Sequence, residues 1–257
     1  DWNPKNKKNT KKKSVLLTFD DGYKDHYKYV YPFLKEKKIS GNFYPTVQGL
    51  KNKKVLDINK IHFILEKENN RKKILKLIFK FTKKFANKTE KNYPINKIKT
   101  VSRYDDKKTE IIKRLLQNVL PLNLRSKILN SLFNEIIKID EKKFSKSLYM
   151  NNKQIIEMHN DKMTIGSHGD HHYWWDNLNF NKQLIELKTS IEYFKKIKIY
   201  KKNFSVCYPY GSFNSDTLNI LKNLKVKFAL TTKLGSIHLK NINNNLALPR
   251  YDTNDFK

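Results

Sequence analysis

Cysteine, glycine, acidic residues and long apolar runs are all scarce in this sequence. The single cysteine, Cys207, excludes an intramolecular disulfide and says little about redox compartment. No uninterrupted apolar run approaches the ~20 residues of a membrane-spanning helix, and no signal peptide is visible. The compartment stays open between cytoplasm and cell envelope, and a start at Asp1 leaves room for a trimmed anchor. No repeat period is evident. Acidic residues number 24 against 54 lysines and arginines, a formal net charge of +30. That balance suits nucleic acid, an anionic membrane surface or an acidic polysaccharide. The lysines, however, are spread among aliphatic residues, and glycine is held to 7, which reads as chain-wide compositional drift. Charge alone therefore names no partner. Peripheral membrane contact stays open, and the oligomeric state is not readable.

What is present is concentrated first in Ser14-Val15-Leu16-Leu17-Thr18-Phe19-Asp20-Asp21-Gly22-Tyr23. A β-branched and apolar run ends in two carboxylates and a glycine, as a buried strand does when it delivers polar groups to the mouth of a parallel sheet or barrel. Successive strand residues point to opposite sides, so adjacent aspartates do not easily share a role. At a glycine turn one can bind a metal while the other faces substrate. By itself Asp-Asp-Gly is ordinary turn chemistry.

The rest of the chain alternates strand and helix around a different middle. Residues 1–13 read as a basic, loosely packed lead-in. Helical spacing over 24–38, kinked or restarted at Pro32, is followed by a strand near Phe43-Tyr44, which predicts a parallel pairing with a right-handed crossover. From about 56 to about 143, Ile, Leu and Phe recur at helical intervals, predicting an inserted bundle of amphipathic helices. A strand at Met163–Ser167, a helix over Leu184–Ile197 and a strand at Phe204–Tyr208 follow. A helix at Thr217–Leu224 precedes strands at Lys227–Thr231 and Leu246–Tyr251. Outside the insert the repeated β-then-α order fits an α/β barrel or an open parallel sheet.

The second chemical stretch is Gly166-Ser167-His168-Gly169-Asp170-His171-His172, which collects three of the seven histidines. On a helical turn, the spacing of His168 and His172 puts both imidazoles on one face, close enough to hold one cation. Two histidines and one carboxylate leave a position open for water, the catalytic arrangement. Asp21 is the natural third ligand if the two strand ends lie side by side. Zinc is the default ion for such a set, and cobalt, nickel or manganese can occupy it.

Together, Thr18-Phe19-Asp20-Asp21-Gly22, His168-x-x-x-His172 and a variant third motif, Cys207-Tyr208-Pro209-Tyr210-Gly211, resemble the NodB-type polysaccharide deacetylases, carbohydrate esterase family four. The resemblance spans 14–257 and spares the helical insert. It implies a distorted (β/α) barrel and a divalent metal, with removal of acetyl groups from N-acetylated sugars of a polysaccharide or glycan precursor. It further implies Asp20 as general base, Asp21, His168 and His172 as metal ligands, and the Tyr210 backbone N–H as an oxyanion donor.

Two departures stand out. Where the family's third motif begins with an arginine that orients the base, this chain has Cys207. Arg250, in Leu248-Pro249-Arg250-Tyr251, is the candidate to bring a charge to Asp20 from another strand end; the plain alternative is a surface arginine. The family's late Leu-x-His motif, which carries the catalytic acid, has no counterpart, and the late His238 falls in a loop-like stretch. Tyr23 and Trp174 suit a stacking wall for sugar rings, whereas Trp175 suits the core. Competing readings are a weakened glycan-binding protein, a metal-dependent amidase on a small amide, and, last for want of a motif, a nucleic-acid-binding protein.

Overall fold

Among the described residues, six short strands in parallel pairs and the helices between them build the first unit. The computed structural model describes residues 14–86, 105–201, 203–237 and 245–256; the lead-in and His238 lie outside them. By contacts the chain divides into residues 1–54 with 144–257, and residues 55–143.

In the first unit, β1 (Thr18–Asp21), β2 (Asn42–Pro45) and β3 (Thr164–Ile165) form one parallel sheet in that order. β4 (Ser205–Cys207), β5 (Phe228–Leu234) and β6 (Leu248–Arg250) form a second. A parallel bridge between Ser167 and Val206 ties the two together. Among the described residues no ladder returns from β6 to β1. The strands are short, and their side chains sort by strict alternation. Phe43 and Val206 join the main core with Ile165, Trp175, Leu187, Ile191 and Phe194. Their neighbours Tyr44 and Cys207 join a small second cluster with Phe228, Leu230 and Leu248. Each large side chain so buried contributes about 1.5–3 kcal/mol. Asp20 pairs with Tyr44 in the β1–β2 register, so it shares the second face.

The connections follow from caps and breakers. A π turn over His26–Val30 leads directly into α1 (Tyr31–Glu36), with Pro32 in its first turn. The proline therefore restarts the helix, since a first-turn residue needs no amide donor. α2 (Val47–Leu50) starts at Thr46, whose side chain accepts from the Gly49 amide. Later come α8 (Asn152–Asn160), α9 (Phe180–Lys196) and α10 (Ser215–Asn223), each capped by an asparagine side chain. No described helix is long and apolar enough to cross a membrane.

The described residues of the second unit, Val55–Lys143, are mainly helical. It holds α3 (Asp57–Lys67), α4 (Arg71–Phe85), α5 (Lys107–Arg114), a π turn over Leu115–Val119 and α6 (Leu122–Ile136). The start of α7 (Glu141–Leu148) closes it. Ile61, Ile64, Ile74, Ile112, Leu116, Ile128, Leu132 and Phe133 fill its core. The buried Lys60 reaches Glu141 at 2.7 Å and Asn130 at 2.6 Å. Many of its other lysines are exposed.

Candidate active site

The last two residues of β1 diverge. Asp20 keeps the strand register, whereas Asp21 turns left-handed at φ +68°. The break lets adjacent carboxylates serve one site with different partners. Asp20 Oδ1 accepts from Arg250 Nη1 at 3.1 Å and Oδ2 from Arg250 Nη2 at 2.9 Å. Oδ2 also accepts the Cys207 thiol at 3.3 Å. Arg250 is itself fixed, donating Nε to Thr231 O at 3.0 Å and Nη1 to Thr18 Oγ1 at 3.2 Å. Burial pushes the Asp20 pKa up, but His168 and the Arg250 guanidinium, with the hydrogen bonds from Arg250 and Cys207, outweigh it and hold it at about 2. Burial, reinforced by the Asp20 charge, pushes the Cys207 thiol well above its ordinary value.

The histidines arrive differently from the expected helical turn. After β3 the chain bridges to Val206 at Ser167 and donates the His168 amide to Pro45 O at 3.1 Å. It then runs irregularly to Trp174. Two left-handed residues, Gly169 at φ +82° and His172 at φ +63°, fold this loop back on itself. At Gly169 a β-carbon would also lie 2.9 Å from the Trp175 ring, so only glycine fits. The result is a close pair, with His168 Nε2 and His172 Nε2 3.1 Å apart.

Asp21 Oδ1 lies 3.6 Å from His168 Nε2 and 3.3 Å from His172 Nε2. Nitrogen and oxygen donors on one tetrahedral ion, bound at about 2.0–2.1 Å, sit about 3.3 Å apart, so the spacing fits one ion. His168 Nδ1 donates to Cys207 O at 2.7 Å, which leaves the Nε2 lone pair on the side of His172 and Asp21. Burial pushes the His172 pKa down to about 4 against the pull of Asp21, keeping the imidazole neutral. Asp21 Oδ1 is buried without a hydrogen bond, a polar atom that an ion would satisfy. The residues present therefore suit a divalent cation with open positions.

The third segment closes one side. Tyr210 is left-handed at φ +58°, and its ring meets His172 edge-on with centroids 4.7 Å apart. Trp174 stacks on Tyr210 at 4.6 Å. Tyr23 stacks on Tyr149 at 6.1 Å, while Trp175 is wholly buried beside Tyr208. Sequence reasoning missed Glu186, a buried carboxylate on α9 that binds His171 twice. Its signal was available: Gln183, Glu186 and Ser190 fall on the buried stripe that carries Leu187, Ile191 and Phe194.

A model of the polysaccharide deacetylase family matches residues 7–119 and 105–229. The chain belongs to that family. Arg250 lies beyond the matched residues. Among solved structures, the Streptococcus pyogenes deacetylase PplD, in complex with acetate, is 19% identical with a TM-score of 0.53, covering 95% of this chain and 66% of its own. The deacetylase domain of Bordetella bronchiseptica BpsB is 15% identical, TM-score 0.49, covering 92% and 69%. IcaB from Ammonifex degensii is 16% identical, TM-score 0.45, covering 85% and 60%. The chain thus spans slightly under two thirds of the PplD chain, and at this identity the likeness is one of fold. No curated protein matches the chain significantly by sequence.

Proposed function

We propose that this polysaccharide deacetylase family member is a divalent-metal-dependent hydrolase that removes acetyl groups from N-acetylated sugars of a polysaccharide or glycan precursor. The observation that carries the reading is the convergence of Asp21, His168 and His172 beside the Asp20–Arg250 pair. Asp21, His168 and His172 would hold the ion, with zinc first and cobalt, nickel or manganese as substitutes. When bound, it would polarise the acetyl carbonyl and acidify the attacking water. Asp20, ionised at every working pH, takes the proton from that water, and Arg250 keeps its carboxylate oriented. So low a pKa makes Asp20 a weak acceptor, matched only to an acidified donor. The Tyr210 backbone N–H is assigned to the developing oxyanion. Trp174, stacked on Tyr210, offers an aromatic face to a sugar ring. In this reading the two sheets are parts of one distorted barrel whose strand ends carry the site. The partner this reading requires is the acetylated glycan.

The test is acetate release from an N-acetylglucosamine oligomer by zinc-loaded protein and by Asp20→Asn. The reading expects release by the wild type and its loss, by about 10²-fold or more, in the variant. Equal rates would remove Asp20 from the chemistry.

A further inference from the structure

The histidine loop is gripped from two sides. On α9, Glu186 and Ser190 stand one turn apart and both are buried. Ser167 Oγ donates to Ser190 Oγ at 2.8 Å and accepts the Gly169 N–H at 3.0 Å. Glu186 holds more: Oε1 accepts the His171 backbone N–H at 2.5 Å, and Oε2 accepts His171 Nδ1–H at 3.0 Å. From the opposite side, Val47 N–H donates to Gly169 O and Gln48 N–H to Asp170 O, each at 3.1 Å. The Gln48 side chain donates to Asp170 Oδ1 at 2.8 Å.

A metal-binding histidine ordinarily has its second ring nitrogen held by a carbonyl or carboxylate, which fixes the ring. His168 has this in Cys207 O. His172 does not: its Nδ1 is buried and makes no hydrogen bond among the described residues. Its ring is placed by the edge-on contact with Tyr210 and by its backbone, held at a left-handed φ of +63°. For a residue with a β-carbon that conformation costs on the order of 1–3 kcal/mol and persists only where the surroundings enforce it. The carboxylate expected behind His172 is found instead on the residue before it. Asp170, His171 and Glu186 bring ligand-type atoms within 4.8 Å of one another. Their hydrogen bonds, however, pair those atoms with each other and with Gln48, so the cluster is a clamp and not a second ion site.

We infer that Glu186 is a positioning residue: by fixing the backbone and ring of His171 it holds His172 against His168 and Asp21, and so sets the affinity of that site for its ion. The inference rests on the metal-dependent reading above.

The experiment is zinc titration into metal-free protein in competition with a chromophoric chelator, for wild type, Glu186→Gln and Ser190→Ala. The cobalt absorption spectrum of each is recorded alongside. Glu186→Gln keeps the volume but only one acceptor. Its zinc affinity is expected to fall by about tenfold or more, with a changed cobalt spectrum. Ser190→Ala, which leaves the His171 contacts in place, is expected to lose less zinc affinity than Glu186→Gln even if it melts lower. Equal affinity in wild type and Glu186→Gln overturns the inference and leaves the metal reading standing. An equal loss in both variants also overturns it, since that is general loosening of the loop. A wild type that binds no zinc overturns the reading beneath it. Should Glu186→Gln not fold, His171→Ala removes the ring contact from a partly exposed side chain. Weakened zinc binding there supports the clamp, and unchanged binding overturns the part of it assigned to the ring, since the Glu186 bond to the backbone N–H of position 171 is kept.

Discussion

Arg250 and Asp20, 230 positions apart in sequence, meet through two parallel hydrogen bonds of 3.1 and 2.9 Å. A planar guanidinium matches both carboxylate oxygens at once, which a point charge does not. The geometry places a positive charge beside Asp20 from β6, while Cys207, on β4, supplies only a thiol. Arg250→Ala is expected to lower turnover by about 10²-fold or more, and Arg250→Lys to recover only part of it. Steady-state acetate release from both variants checks this, and an unaffected rate would show that Asp20 needs no partner.

Cys207 gives the complementary expectation. A thiol–carboxylate hydrogen bond contributes on the order of 1 kcal/mol, so Cys207→Ala should cost less than about tenfold in turnover. The same burial that raises the thiol pKa makes it inert. Iodoacetamide should leave the folded protein unmodified and label Cys207 once denaturant is added, as read by intact mass.

The grouping of side chains at the site is more legible in the sequence than the backbone that carries them. Asp21, His168 and His172 stand out as residue types and spacing, and the structure brings their ligand-type atoms together. The spacing suggested a helical turn, however, and the chain instead uses left-handed residues at Gly169 and His172. A histidine carries no local sign that it will adopt a positive φ, because that choice is imposed by what grips the loop. Glu186 was hidden for a related reason. Within α9 it looks like one of several polar residues on an amphipathic helix, and only the helical phase marks it as buried. In the second unit, by contrast, Ile and Leu at helical spacing mark the described helices directly, since those residues fill its core.

Gly166 tests the join between the two sheets. A β-carbon there would lie 2.4 Å from Tyr44 Cε1 and 2.6 Å from Ser205 O, the latter being backbone that cannot yield. Gly166→Ala is expected to destabilise the protein by about 1–3 kcal/mol through overpacking. Denaturant unfolding of the two proteins measures this, and equal midpoints would show that the strands separate freely at this point.

A divalent ion held by Asp21, His168 and His172 at the end of β1 would make the hydrolysis depend on that ion. Acetate release from an N-acetylglucosamine oligomer, measured with protein stripped by a chelator and then given back zinc or cobalt, checks this. Release is expected to fall to background on stripping, to return with either ion, and to fail to return in His172→Ala. Undiminished release from fully stripped protein would show that the reaction needs no such ion.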